Sequence, residues 1–288
     1  MNALTYESPK SVDEAVKLLA AADGGARLLA GGTDLLVQLR TGMIKPSLII
    51  DVKNISETTV IKEENGGYRV GASVSGAVLG EHDGMNSAWP GVVEALELIG
   101  STQIQGRASM GGNLCNASPA ADAVPAMIAA YAVCTIAGPD GRREARVEDI
   151  VTGPGETSLG AGEMVVDFFF PARPARSGDA YLRFIPRTEM DIAVVGAGVS
   201  LTLDEAGVCT AARVALGAVA ATPLVVEDAA DALIGSTLDD AAMAKLDAAA
   251  RAACRPIDDK RGTIEYRTKV AGVLARRAAK IAQQRAEA

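Results

Sequence analysis

The chain has 288 residues, with 28 basic and 36 acidic side chains and a formal net charge of −8, which argues against nucleic acid or an anionic membrane surface as the main partner, because a polyanion binder needs a basic face to displace counterions. Aromatic residues are 3% of the chain against 49% hydrophobic residues overall, so the core must be built from Ala, Val, Leu and Ile, and aromatic nucleobase platforms are improbable. The single histidine, His82, removes Ser-His-Asp triads and multi-histidine metal sites, and Cys115, Cys134, Cys209 and Cys254 are spaced for neither zinc nor iron–sulfur ligation. At this length roughly 75% of the unfolded surface is hidden on folding, enough for one large or two modest domains. The thiols are expected to be reduced and mostly buried as small hydrophobes. Residues Met1–Glu7 carry no basic segment followed by an apolar stretch, and Ala126–Ala137 is too short to span a bilayer. A soluble, cytoplasmic protein is therefore expected.

From the N-terminus, Ser11 precedes an apolar period at Val12, Ala15, Val16 and Leu19 and has Glu14 three residues on, the capping-box spacing that opens a helix. Ala26–Ala30 reads as a short buried strand that breaks at Gly31-Gly32-Thr33-Asp34, followed by a helical turn or two over Leu35–Arg40 and a second apolar strand over Ser47–Val52. Asn65-Gly66-Gly67 joins Thr58–Lys62 to Tyr68–Ala72 as a hairpin, since Asn and Gly accept the positive φ of a tight turn. A helical segment ends near Gly100, a second glycine stretch follows at Gly111-Gly112-Asn113, and Ser118-Pro119 opens another helix with proline at its first position. Gly138-Pro139-Asp140-Gly141 is a turn, Glu163–Phe170 a strand, and the Pro, Arg, Ser and Gly around residues 171–178 suggest a domain boundary. Beyond it, Val194–Leu203 and Val208–Val219 form a hairpin, and Thr237 with Asp240 caps an Ala-rich helix to about Ala253. Thr263–Ala286 is a long helix with Tyr266, Val270, Val273, Leu274 and Ile281 as its apolar stripe. The layout is a mixed α/β region followed by a smaller α+β region, with no internal repeat.

The two glycine stretches carry the chemistry. In Leu28-Leu29-Ala30-Gly31-Gly32-Thr33-Asp34-Leu35, successive small residues uncover backbone N–H groups at the start of a helix, where those donors and the helix dipole favour an anion such as phosphate, and Thr33 adds a hydroxyl donor. A lone Gly-Gly-Thr also serves an ordinary strand-to-helix turn, and neither a Rossmann nor a Walker fingerprint is present. Ser109-Met110-Gly111-Gly112-Asn113 repeats the pattern, and Asp122 places a carboxylate in the first turn of the following helix, where the helix dipole is one favourable partner. A diphosphate would repel that carboxylate, so its role toward a nucleotide is to accept hydrogen bonds from sugar or ribityl hydroxyls. Two separated loops suit a long dinucleotide lying between two lobes.

Ala30-Gly31-Gly32-Thr33-Asp34-Leu35 and Gly111-Gly112-Asn113-Leu114-Cys115-Asn116-Ala117-Ser118-Pro119-Ala120-Ala121-Asp122 together resemble the FAD loops of the medium, flavin-binding subunits of the molybdenum hydroxylases, the family of xanthine dehydrogenase and aerobic carbon monoxide dehydrogenase. The resemblance continues through Tyr181-Leu182-Arg183-Phe184, Arg187, Asp191-Ile192-Ala193, Lys260-Arg261-Gly262-Thr263 and Tyr266-Arg267, so it covers nearly the whole chain. It implies an α+β fold: a two-lobed FAD-binding domain of the vanillyl-alcohol-oxidase-like (PCMH) type over residues 1–176, and a smaller C-terminal domain, an antiparallel sheet with helices, over residues 177–288. It implies noncovalent FAD, with Leu28–Leu35 and Ser109–Asn113 cradling the diphosphate, Asp122 on its hydroxyls, and flavin-side contacts at Ile99, Gly100, Val165 and Arg183. Three places depart from the commonest pattern: Gln105-Gly106 stands for Arg-Asn, Ser109-Met110 for Thr-Ile or Thr-Leu, and Arg183 for Lys, which keeps the charge but changes its geometry.

The same resemblance implies partners. Electrons would come from a molybdopterin-containing large subunit through a small subunit with two [2Fe-2S] clusters, in a dimer of heterotrimers, and leave to an acceptor such as quinone or NAD. A flavin supplies the redox chemistry from its own ring, so the chain needs no general acid or base and no catalytic side chain. Two rivals stay open: a stand-alone FAD oxidase or reductase of the same fold, and a scaffold subunit with a degenerate nucleotide site. Cys115 has two readings, a packed small side chain or a thiol touching flavin. Arg183 divides between a charge near the flavin and a surface ion pair, Trp89 and Tyr181 between ring stacking and core packing, and His82 is read as solvated in a polar loop.

Overall fold

The computed structural model of the chain describes residues 4–288, so the part of the N-terminal reading that rests on residues 1–3 lies outside the described residues. The first layer consists of β1 (Thr5–Glu7), α1 (Val12–Ala21), β2 (Ala26–Leu29), α2 (Leu35–Thr41) and β3 (Leu48–Asp51). Its strands form a parallel sheet in the order β1-β3-β2. Ser11 caps α1 by accepting from the Glu14 N–H, and the Glu14 carboxylate reaches back to the Lys10 N–H. Val12, Ala15 and Val16 seat this helix on Ile50 and Val52. By contrast α2 has no buried residue.

The hairpin β4 (Ile61–Glu64) and β5 (Gly67–Gly71) turns through Asn65 and Gly66, both at positive φ. It is followed by six short helices, α3 (Gly76–Gly80), α4 (Asp83–Ala88), α5 (Pro90–Glu97), α6 (Thr102–Gln105), α7 (Met110–Cys115) and α8 (Ala123–Ala129). His82 is the N-cap of α4, its Nδ1 accepting from the Met85 N–H, rather than a solvated loop residue. The chain then adds β6 (Val133–Gly138), β7 (Gly141–Arg146), the small pair β8 (Val151–Gly153) and β9 (Glu156–Thr157), and β10 (Met164–Phe170). The antiparallel sheet β4-β5-β10-β6-β7 packs against α5, α7 and α8 through Phe168, Phe170, Leu96, Leu114 and Met127.

The expected helix start at Ser118-Pro119 is corrected: α8 begins at Ala123. The Pro119 carbonyl accepts from the Ala218 N–H at 2.7 Å and Ser118 turns back on Ala120 and Ala121, so residues 118–121 form a turn held by the C-terminal region. Asp122 consequently sits at the N-cap position but makes no capping bond.

The last region holds β11 (Ser177–Phe184), β12 (Val195–Leu203), β13 (Cys209–Gly217) and β14 (Leu224–Val225) as an antiparallel sheet, then α9 (Glu227–Asp231), α10 (Asp240–Ala253) and α11 (Ile264–Glu287). Asp239, not Thr237 with Asp240, caps α10 by accepting from the Ala242 N–H, because Leu238 at φ +56° turns the chain first. Thr263 is the N-cap of α11, and of the expected stripe Leu274 is buried while Val270 and Ile281 pack partly buried against the core. The other buried positions are mostly small, Ala271, Gly272, Ala275, Ala278, Ala279, Ala282 and Ala286 beside Arg267, with Tyr266 left 41% exposed. The helix lies so close to β11 that a Cβ on Gly178 would meet the Ala282 carbonyl at 1.8 Å, and only alanines fit such a contact. Among the described residues no helix is long and apolar enough to cross a membrane.

Candidate functional site

A cleft of about 620 Å³ lies between the parallel sheet and the five-stranded sheet, within the range of small-molecule sites. Both glycine loops open into it. Leu28, Ala30, Gly31, Gly32, Thr33, Asp34 and Leu35 line it from the first loop, Ser109, Gly111, Gly112 and Asn113 from the second, and Ile99 and Val165 from the flanks. Leu28 is therefore half-buried rather than part of a fully buried strand.

The first loop leaves β2 and enters α2. Gly32 takes φ +80°, and a Cβ on Gly31 would meet the Arg107 carbonyl at 1.9 Å, so one glycine supplies the turn and the other the close approach of the two loop segments. None of the backbone N–H groups from Gly31 to Leu35 finds an acceptor among the described residues. Asp34 makes no capping bond, and the Thr33 hydroxyl has no protein partner there either. Uncommitted donors at a helix start favour an anion.

In the second loop the glycine donors are already used. Ser109, 2% exposed, caps α7 by accepting from the Gly112 N–H at 3.2 Å, and the Gly111 N–H donates to the Ala72 carbonyl at 3.0 Å. A Cβ on Gly111 would meet that carbonyl at 2.6 Å, whereas one on Gly112 would touch only Ser109 Oγ at 3.3 Å. Asn113 Oδ1 accepts from the Ala123 N–H at 3.0 Å, giving α8 the cap that Asp122 withholds. The two glycines of the second loop therefore do not repeat the first loop's open donors; they wall the cleft.

Five of the expected residues lie outside the cleft wall. Leu29 packs beneath Gly32, Met110 is buried in the core, and the Gly100 carbonyl accepts from Met190 N–H. Asp122 and Arg183 meet each other. Arg183 Nη1 donates to Asp122 Oδ2 at 2.8 Å, with side-chain exposures of 5% and 9%, and Tyr181 Oη donates to Oδ1 at 2.8 Å. The ion pair is thus buried, not a surface pair. Burial raises the Asp122 carboxyl above its ordinary range, outweighing the opposing pull of Arg183 and Tyr181. Among the described residues Arg183 Nε is buried without a partner, an orphan donor.

Tyr181 is a core residue, and Trp89 is too, donating to the Pro171 carbonyl under the Arg173 guanidinium. Three cysteines are buried, but Cys115 is exposed on the cleft wall, contrary to its reading as a packed thiol. Sequence reasoning missed Gln38, Met43, Ile44, Ser73, Thr157 and Leu159, which line the cleft from four further segments. No local motif marks them. Among the described residues no cluster of His, Cys, Asp and Glu is arranged to hold a metal ion.

Two family models cover the chain: the FAD binding domain in molybdopterin dehydrogenase matches residues 2–173, and the CO dehydrogenase flavoprotein C-terminal domain matches residues 180–282. The carbon monoxide dehydrogenase medium chain of Afipia carboxidovorans is 35% identical over 98% of this chain and 97% of its own length. The nicotinate dehydrogenase FAD-subunit of Eubacterium barkeri is 30% identical over 83% of this chain and 82% of its own. The structure of reconstituted CO dehydrogenase from Oligotropha carboxidovorans superimposes with a TM-score of 0.94 at 35% identity, covering 98% of each chain. The open donors of the first loop, the glycine wall opposite and the cleft volume suit a dinucleotide diphosphate. The chain therefore belongs to the family of FAD-binding medium subunits of the molybdenum hydroxylases, as an oxidoreductase subunit whose cofactor is FAD.

Proposed function

We propose that this subunit takes electrons from a partner carrying [2Fe-2S] clusters, itself fed by a molybdopterin-containing large subunit, and delivers them to an external acceptor such as quinone or NAD. The observation that carries this reading is the near end-to-end match to a carbon monoxide dehydrogenase medium chain, combined with a cleft whose first loop is open for phosphate. FAD, when bound, accepts and releases electrons on its own ring. The chain's residues bind and orient it. The N–H groups of Gly31–Leu35 and the Thr33 hydroxyl hold the diphosphate, while Gly112 lets it approach the second loop. Each Asp122 oxygen already accepts one hydrogen bond, and a carboxylate has about four lone-pair sites, so capacity remains for a ribityl or ribose hydroxyl. Ile99 and Val165 give the ring apolar contact, and Leu29, Gly100 and Met110 shape the backbone behind the wall. Arg183 sets a fixed positive charge near the ring end. In this reading residues 1–176 hold the cofactor, residues 177–288 form the second domain, and the assembly is a cytoplasmic dimer of heterotrimers.

The test is a flavin-free form of the assembled complex. Substrate should still reduce the iron–sulfur clusters at the normal rate while reduction of the acceptor stops, and added FAD should restore it. Full acceptor reduction without flavin would show that electrons leave elsewhere. Steady oxidation of an organic alcohol or amine by the purified chain alone would instead favour a stand-alone oxidase.

A further inference from the structure

We infer that Gln38 and Asn116 form a positioning tie that holds the two glycine loops at the separation the FAD diphosphate requires; this rests on the placement of FAD in the cleft. Gln38 Nε2 donates to Asn116 Oδ1 at 3.0 Å across 78 residues of chain, in a part-buried setting, and both residues line the cleft. Gln38 stands one turn into α2, the helix that starts at the first loop, and Asn116 is the C-cap of α7, the helix that starts at the second. No other hydrogen bond joins α2 to α7 among the described residues.

The tie matters because Arg107 Nε, donating to the Gly31 carbonyl at 3.4 Å, fixes only the start of the first loop, and among the described residues α2 itself makes no other side-chain bond across the cleft. It buries no residue, and Leu36 and Val37 are more than half exposed, so core packing does not fix its position. Its internal geometry is set: the Gln38 N–H donates to the Asp34 carbonyl, and the Gln38 carbonyl accepts from Met43 N–H at the C-terminal turn. Opposite it, α7 buries Met110, Gly111 and Leu114, and the Asn116 N–H donates to the Gly112 carbonyl. A locally ordered but weakly seated helix carries the open anion donors, and one amide–amide bond connects it to the firmly seated helix across the cleft. With Gly31 held against Arg107, a displacement of α2 would move the N–H groups of Thr33–Leu35 away from the phosphates while leaving the flavin-ring end at Ile99 and Val165 in place. The tie should therefore act on phosphate-bearing ligands and not on the ring.

The experiment uses the full-length chain, with FAD release followed by recovery of flavin fluorescence, ADP and riboflavin binding by calorimetry, and apoprotein melting by circular dichroism. Gln38→Ala and Asn116→Ala should each speed FAD release about fivefold and weaken ADP to a similar degree, the scale of one net hydrogen bond. Riboflavin affinity and apoprotein melting should stay at wild-type values. Exchanging the two residues, Gln38→Asn with Asn116→Gln, keeps one donor, one acceptor and the combined reach, and should restore slow release. Wild-type FAD release in both alanine variants overturns the tie, as does riboflavin weakening in step with FAD, which would mean direct contact with the ring. A wild-type chain that holds no FAD overturns the cofactor placement instead, so the two failures are distinct.

Discussion

The two glycine loops share a composition and differ in every hydrogen bond that matters. In the first, Gly31-Gly32-Thr33, the N–H groups through Leu35 are unspent, and the helix that follows buries nothing. In the second, Ser109-Met110-Gly111-Gly112, the donors at 111 and 112 are already used and the following helix is seated in the core. The cause is the order of residues. A hydroxyl placed three residues before an N–H can reach forward to cap it, as Ser109 does for Gly112, whereas Thr33 follows its glycines and cannot cap them. Open donors thus come from a hydroxyl after the glycines, and a closed wall from a hydroxyl before them.

The carboxylates beyond the loops extend this contrast and give the largest expected effect. Asp34 makes no capping bond, while Asp122 is buried between Tyr181 and Arg183. Arg183→Met leaves that carboxylate without its countercharge and should cost about 3–5 kcal/mol in urea unfolding at neutral pH. The deficit should depend on pH. Burial already holds the Asp122 carboxyl above its ordinary range, and losing Arg183 pushes it higher. A carboxyl raised in the native state contributes stability below the ordinary carboxylate range and loses it as pH rises through the raised value, so the variant should recover toward acid pH. Adding Asp122→Leu to Arg183→Met should return much of the loss, and Asp34→Asn should stay within about 0.5 kcal/mol of wild type. A neutral Arg183→Met would mean that the closed side is not held by charge.

The glycines themselves give an intermediate effect. Gly31→Ala must displace the Arg107 carbonyl from 1.9 Å, and Gly111→Ala the Ala72 carbonyl from 2.6 Å. Each should destabilise the apoprotein by about 1–3 kcal/mol, as overpacking does. Gly112→Ala meets only the Ser109 hydroxyl at 3.3 Å and should melt near the wild-type temperature while losing FAD affinity, because the added methyl enters the cleft wall. Equal melting for all three would erase the distinction between glycines that admit backbone and the glycine that admits ligand.

The loops were legible because glycine and proline punctuate locally, and the hairpins at Asn65-Gly66 and Asp204–Gly207 were legible for the same reason. What escaped was decided at a distance. Pro119 looked like a helix start until the Ala218 N–H claimed its carbonyl, and Asp122 looked like a dipole partner until Tyr181 and Arg183, about 60 residues on, claimed its oxygens. The stripe of α11 was sought among large apolar residues, yet close packing on Gly178 selected alanines. The cleft positions at Met43, Ile44, Thr157 and Leu159 come from segments with no motif, assembled by the two sheets.

The smallest effect separates the loops most cleanly, because it pairs two hydroxyls with opposite duties. Ser109→Ala removes the cap of α7 and exposes the Gly112 N–H to the cleft, so the apoprotein should lose about 1 kcal/mol of stability. FAD affinity should fall little, since that N–H becomes free to donate to the ligand. Thr33→Ala removes a hydroxyl with no protein partner among the described residues, so melting should not change, while FAD release should quicken by the few-fold worth of one hydrogen bond. The two variants should therefore move different observables, melting for Ser109 and release for Thr33. If Thr33→Ala instead lowered the melting temperature as much as Ser109→Ala with FAD release unchanged, the first loop would be a structural turn like the second, and the phosphate would have to be held by other donors.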